Sequence, residues 1–214
     1  FVLSRADPEE PKSGPRYELS KPAHFTYQQL DYDVSDLKSL PQAYCETPLD
    51  FGEIRMVHAS MHHNRDGIYP ESSPAEIQEK ISPRPEVFIT GHTHRPFIRK
   101  INSTLVVNAG SVGLPFDGDP RTGYAQISTQ NGQWKAQIIR LTYDIAQAEK
   151  DFYDTGYLNN AGPMAKLFLL ELELALSQLY QWYTKYSQPV LKGKISVAQA
   201  TEDYLREPST KPYW

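Results

Sequence analysis

The stretch Glu86-Val87-Phe88-Ile89-Thr90-Gly91-His92-Thr93-His94 decides how this chain is read. Its first five residues, rich in β-branched and aromatic side chains, predict a buried strand. Gly91 lets the backbone turn sharply where that strand ends. Two histidines follow, two positions apart. In extended backbone they would point the same way, whereas a tight loop can aim them at two neighbouring ions. A second run, Ile54-Arg55-Met56-Val57-His58, also reads as a strand with a histidine at its C-terminal end. Parallel or neighbouring strands bring such ends to one edge of a sheet, which is where α/β folds build their sites.

Around these two strands the middle of the chain is largely β. Ala43 to Leu49 reads as a strand joined to the second run by a turn at Asp50-Phe51-Gly52. Phe97 to Ile101 and Thr104 to Asn108 flank Asn102-Ser103, a hairpin signal. Gly123 to Thr129 and Gln133 to Leu141 flank Asn131-Gly132, a stronger one. Ser73-Pro74-Ala75-Glu76 predicts a helix start, with Ser73 as cap and Pro74 at the first position. The ends of the chain read differently. Residues 1–23 are polar and broken by Pro8, Pro11, Gly14 and Pro15, which predicts a loop or flexible arm. Leu30, Val34, Leu37 and Leu40 recur at helical steps and predict an amphipathic helix between Phe25 and Leu40. Asp144 to Tyr153, Met164 to Tyr186 and Ser196 to Leu205 predict three helices, the middle one long and apolar on most sides. Residues 1–23, 24–145 and 146–214 are therefore expected to be a flexible arm or loop, the domain that bears the histidine loop, and a helical extension packed on it.

Composition narrows the function classes. With 214 residues and 39% hydrophobic side chains, the chain can bury a core. Its formal net charge of -4 argues against a nucleic-acid footprint, which needs clustered Lys and Arg. The single cysteine, Cys45, excludes an intrachain disulfide and a Cys-rich zinc site, and fits a reducing, cytoplasmic setting. No run approaches the length of a membrane span. His24, His62 and His63 read as ordinary polar surface residues.

Three segments together carry a resemblance: Val57-His58-Ala59-Ser60, Gly91-His92-Thr93-His94-Arg95-Pro96 and Asn108-Ala109-Gly110-Ser111-Val112-Gly113. Asp117-Gly118-Asp119-Pro120-Arg121 and the strand from Gly123-Tyr124-Ala125 continue it. Over residues 25 to 145 the chain resembles the C-terminal part of a calcineurin-like metallophosphoesterase, most of all the small bacterial YfcE-like phosphodiesterase branch. The resemblance implies an α/β fold, a sandwich of two mixed β-sheets flanked by helices, here partial and followed by a helical extension. It implies that His58 and His92 bind one divalent metal ion and His94 a second, the identity being open among Mn, Fe, Zn, Co and Ni. It implies two-metal hydrolysis of a phosphodiester or a small phosphorylated metabolite. Arg95 and the Asn108–Gly113 loop would close the site floor, and Asp117, Asp119 and Arg121 read as a solvated turn.

The family pattern also requires Asp-x-His, Gly-Asp-x-x-Asp and Gly-Asn-His-Asp/Glu segments, and this sequence contains none of them. The chain opens on Phe1 rather than Met. The expectation is that these segments, with the catalytic histidine, lie upstream of Phe1, so that no catalytic residue falls within the chain and these residues alone turn over poorly or not at all. Sheet edge and apolar surface would then be exposed. A homo-oligomer through the C-terminal helices is the expected partner arrangement. Two rival readings remain at this point: a non-catalytic calcineurin-like scaffold, and a mononuclear zinc hydrolase in which His58, His92 and His94 converge on one ion.

Overall fold

The computed structural model describes residues 2–7, 9–48 and 51–212. A 3-10 helix (Leu3–Ala6) precedes helices α1 (Gly14–Gln29) and α2 (Ser35–Ser39). Strands β1 (Ala43–Glu46) and β2 (Ile54–Val57), helix α3 (Pro74–Lys80), and strands β3 (Val87–Thr90), β4 (Phe97–Ile101), β5 (Thr104–Asn108), β6 (Thr122–Gln130) and β7 (Gln133–Leu141) follow. The chain ends in helices α4 (Ile145–Asp154), α5 (Tyr157–Asn160), α6 (Ala165–Leu174), α7 (Leu179–Leu191) and α8 (Val197–Arg206). These elements form two compact units, one from Pro41 to Tyr143 and one combining Phe1–Leu40 with Asp144–Trp214. Among the described residues no helix is long and apolar enough to cross a membrane.

The first unit holds a five-stranded mixed sheet in the order β1-β2-β3-β5-β4. The strands β2, β3 and β5 run parallel, and the edges β1 and β4 run antiparallel to their neighbours. Parallel neighbours need a crossover, and α3 supplies the one between β2 and β3. Its start is capped as its sequence predicts: Ser73 Oγ accepts the Glu76 amide at 3.2 Å. Ile77 and Ile81 then pack with Val57, Phe88, Ile101 and Val106 as one buried cluster. Each such side chain contributes about 1.5–3 kcal/mol on leaving water. On the other face of the sheet Tyr44 and Met56 pair across β1 and β2, and both are exposed, as is Ile98 on β4. The second sheet is the β6–β7 hairpin alone, antiparallel and not mixed as expected. Its Asn131-Gly132 turn has both residues left-handed, the geometry that this pair favours. The turn expected at Asp50-Phe51-Gly52 begins outside the described residues.

The second unit departs further from the sequence reading. The expected loop over residues 1–23 is helical from Gly14, with Pro15 in the first turn where it costs no hydrogen bond. Leu19 packs on the cluster of Met164, Leu167, Trp182, Val190, Val197, Ala200 and Tyr204, and Phe25 lies edge-on to Tyr157 at 5.2 Å. These contacts outweigh the breaker composition and place residues 1–40 with the C-terminal helices. The helix expected from Phe25 to Leu40 is split, because Asp31 and Tyr32 are left-handed. The helix expected from Met164 to Tyr186 is also split. Ala175 is left-handed at the end of α6, and α7 restarts at Leu179. The device that allows the restart is the buried carboxylate of Glu171. Its Oε1 accepts the amides of Gln178 and Leu179, each at 2.8 Å, and the Ser177 hydroxyl at 3.1 Å. An acidic group at a helix N-terminus satisfies donors that would otherwise have no partner.

Candidate metal centre

Because β2 and β3 are parallel neighbours, their C-terminal ends open on the same edge of the sheet. His58 follows β2 and Gly91 follows β3, and the Gly91 amide donates to the His58 carbonyl at 3.1 Å. Thr90, the last residue of β3, donates its hydroxyl to the Ala59 carbonyl at 2.5 Å. The two strand ends are thus stitched together by backbone and side chain at the point where the chain turns out of the sheet.

The turn carries His92 to His58. Their ring nitrogens, Nε2 of His58 and Nδ1 of His92, lie 3.1 Å apart, and the rings cross at 70°. At that separation the two imidazoles share one hydrogen, so one of them presents a lone pair to the other. Burial lowers the basicity of His92, the His58 and His94 rings lower it further, and a backbone hydrogen bond at Arg65 opposes them. His94 is lowered as well, first by burial. Its Nδ1 lies 2.6 Å from the Leu114 carbonyl. A carbonyl only accepts, so Nδ1 carries the hydrogen and Nε2 carries the lone pair. The ring is also stacked on Phe116, with centroids 4.7 Å apart. Neutral imidazoles with an oriented lone pair are the form that binds borderline divalent ions.

Both histidines achieve this from left-handed backbone, with φ of 64° at His92 and 56° at His94. Histidine visits this region more readily than most residues, at a cost on the order of 1 kcal/mol each. Gly67 makes room for the arrangement. A Cβ there would come within 2.8 Å of Thr93 Cγ2 and 3.2 Å of His92 Cδ2.

Of the expected ligands, the structure brings His58 and His92 into contact and leaves His94 on the same loop with its own partners. Among the described residues no three His, Cys, Asp or Glu side chains gather closely enough to hold an ion by themselves. The donors therefore fit the imidazole part of a metal site, not a complete one. Arg95 is buried and donates to Glu71 at 2.8 Å, fastening the loop as a floor residue would. Asp119 accepts from Arg121 and its carboxyl is held down at about 2, chiefly by that bond. With Arg140 bonded to Asp117, this turn is internally paired. His62 lies 3.5 Å from Asp66, and His63 accepts the Arg65 amide, so both serve their own loop. The sequence reading passed over Gly67, Thr90 and Phe116. Only the small residue in Asp66-Gly67-Ile68 signalled a close approach, and Phe116 left no local trace because its partner, His94, lies 22 positions before it.

Residues 30–132 match the calcineurin-like phosphoesterase superfamily domain. No curated protein matches the chain. Among solved structures it is similar to a metallophosphoesterase from Sphaerobacter thermophilus, with 23% identity over 72% of this chain and 67% of that one, at a TM-score of 0.53. It is also similar to a hypothetical protein from Pyrococcus horikoshii OT3, with 19% identity over 77% of this chain and 69% of that one, at a TM-score of 0.59. At these identities the likeness is one of fold. Together with the sheet order and the strand-end histidines, the match identifies residues 30–132 as a calcineurin-like phosphoesterase superfamily domain.

Proposed function

We propose that this chain supplies the histidine side of a phosphoesterase centre with two divalent metal ions, of the small bacterial phosphodiesterase kind. The observation that carries the reading is the approach of His58 Nε2 and His92 Nδ1 to 3.1 Å at the edge shared by β2 and β3. In this reading His58 and His92 hold one ion and His94, through Nε2, the other. Bound ions would polarise a phosphoryl oxygen and supply hydroxide at neutral pH. The chain's own contribution is to disfavour the charged forms of His92 and His94 by burial and to aim the rings, with Arg95 and Asn108 fixing the loop beneath them. The substrate class is a phosphodiester or a small phosphorylated metabolite in the cytoplasm.

Three neutral imidazoles bring no negative charge to offset two divalent ions. The bridging and terminal carboxylates must come from outside the described cluster, and these 214 residues alone should hydrolyse little or nothing. Hydrolysis of bis(p-nitrophenyl) phosphate with Mn²⁺, beside Mn²⁺ binding followed by calorimetry, tests both parts. We expect measurable binding that weakens in His92→Ala, and turnover at the level of the metal blank. Robust turnover lost in His92→Ala would refute the incompetence of the chain while supporting the chemistry. No binding at all would refute the metal reading and favour a non-catalytic binding module. The exposed Tyr153, Tyr183 and Leu191 support self-association through the helical unit, which light scattering of the intact chain and of Tyr153→Ser would test; a monomer at all concentrations would exclude it.

A further inference from the structure

The side chain of Asn108 bonds both the histidine loop and the loop that follows β5. Asn108 ends β5 and is fully buried. Its Nδ2 donates to the Gly91 carbonyl at 2.8 Å and to Thr93 Oγ1 at 2.9 Å. Its Oδ1 accepts the Gly110 amide at 2.9 Å. The two donated bonds end on the residues immediately before His92 and between His92 and His94. The accepted bond starts the loop that ends on the other side of His94. There Leu114 O takes the His94 ring hydrogen, Phe116 stacks on the ring, and the Phe116 amide donates to the His94 carbonyl at 3.1 Å.

We infer that Asn108 is a positioning residue that sets the ring orientation, and with it the lone-pair direction, of His92 and His94. The reason is geometric. A left-handed residue relaxes toward ordinary backbone unless its neighbours are held on both sides. Gly91 and Thr93 are the neighbours of His92, and both are held by one amide group. His94 is held by Thr93 on one side and by the 108–116 loop on the other, and that loop is anchored on the same side chain. Only a primary amide supplies two donors and an acceptor in this space. Aspartate keeps the acceptor and loses both donors, and leucine loses all three. The role rests on the proposed metal reading for its purpose and not for its geometry.

The experiment uses the 214-residue chain in four forms: unchanged, Asn108→Asp, Thr93→Val and Thr104→Val. Thr93→Val removes one of the two acceptors at almost constant shape and keeps the test informative if the Asn108 variant does not fold. Thr104 is buried on the same strand and donates to the Pro85 carbonyl at 2.6 Å, so Thr104→Val removes a comparable bond without touching the loop. Long-range ¹H–¹⁵N spectra of the imidazoles report which ring nitrogen carries the hydrogen. Cobalt titration, followed by its visible bands, reports affinity. We expect a single Nδ1–H form of His94 in the unchanged chain and in Thr104→Val. Thr93→Val and Asn108→Asp should show a mixture of ring forms and bind Co²⁺ about 10–100-fold more weakly, as loss of an outer partner of a ligating histidine does. Unchanged ring forms in a folded Thr93→Val or Asn108→Asp protein would overturn the inference, as would equal changes in Thr104→Val. If the unchanged chain binds no Co²⁺, the metal reading fails, and the ring spectra alone decide the role of Asn108.

Discussion

Replacing Glu171 by glutamine should make the helical unit less sensitive to pH rising from about 4.5 to about 7. Glu171 is fully buried, and burial pushes its carboxyl from an ordinary 4.5 up to about 7, against the hydrogen bonds from Leu179, Gln178 and Ser177 that favour the charged form. Among the described residues its Oε2 has no hydrogen-bond partner. In the folded chain the proton is held until about pH 7, whereas the unfolded chain releases it near 4.5. Between those values the unfolded state binds fewer protons, so stability falls as pH rises. At about 1.4 kcal/mol per pH unit of pKa difference the full loss is about 3 kcal/mol. Glu171→Gln keeps the acceptor for Ser177, Gln178 and Leu179 and places an amide nitrogen where Oε2 lies. That nitrogen has no partner, which costs about 1–3 kcal/mol at every pH. Urea denaturation followed by helical circular dichroism, on both proteins from about pH 5 to pH 8, gives the difference directly. The lowered His24, His92 and His94 titrate in the opposite sense and are common to both proteins, so they cancel. The variant should gain about 2–3 kcal/mol on the parent across that range. Parallel pH curves would refute the reasoning, because the carboxyl would then be charged in both states throughout. Tyr157 and Tyr204, both raised and both sensing Glu171, titrate too high to interfere.

Two further outcomes follow from local geometry. Gly67→Ala should push Thr93 and the His92 ring aside, separating His92 from His58, and weaken Co²⁺ or Mn²⁺ binding about tenfold or more; unchanged calorimetric affinity would show that the loop absorbs the methyl group. Ser73→Ala removes the bond to the Glu76 amide and should cost about 1 kcal/mol in urea denaturation, with metal affinity unchanged; a loss below about 0.3 kcal/mol would mean that water replaces the cap.

The histidine loop and the strands leading to it were legible because each signal was local. β3 is a run of apolar residues with a glycine at its end, α3 has Ser73-Pro74 at its start, and the β6–β7 turn has Asn131-Gly132. What was not legible depended on distant partners. Helix α1 carries Pro22 in its interior and follows a breaker-rich stretch, and it forms because Leu19 and Phe25 find apolar partners more than 100 positions away by residue number. The α6–α7 break has neither glycine nor proline between Leu174 and Leu179, and a buried carboxylate stands in for them. The proposed metal site shows the same division. The residue types were readable from Gly91-His92-Thr93-His94, but the contact between His58 and His92 needed the parallel pairing of β2 with β3. The hydrogen positions on the rings needed Leu114, which is 20 residues from His94.

The left-handed backbone at His92 and His94 has a consequence for anyone who would retune the proposed centre by exchanging its candidate ligands. Coordination chemistry alone would admit cysteine, glutamate or aspartate at either position. The backbone admits a shorter menu, since asparagine, aspartate and histidine enter the left-handed region more readily than other non-glycine residues. Selection for a harder metal can therefore proceed through aspartate at these two positions. A cysteine or a glutamate there would add backbone strain of about 1–3 kcal/mol, so the fold would filter which metals the proposed site could be evolved to hold.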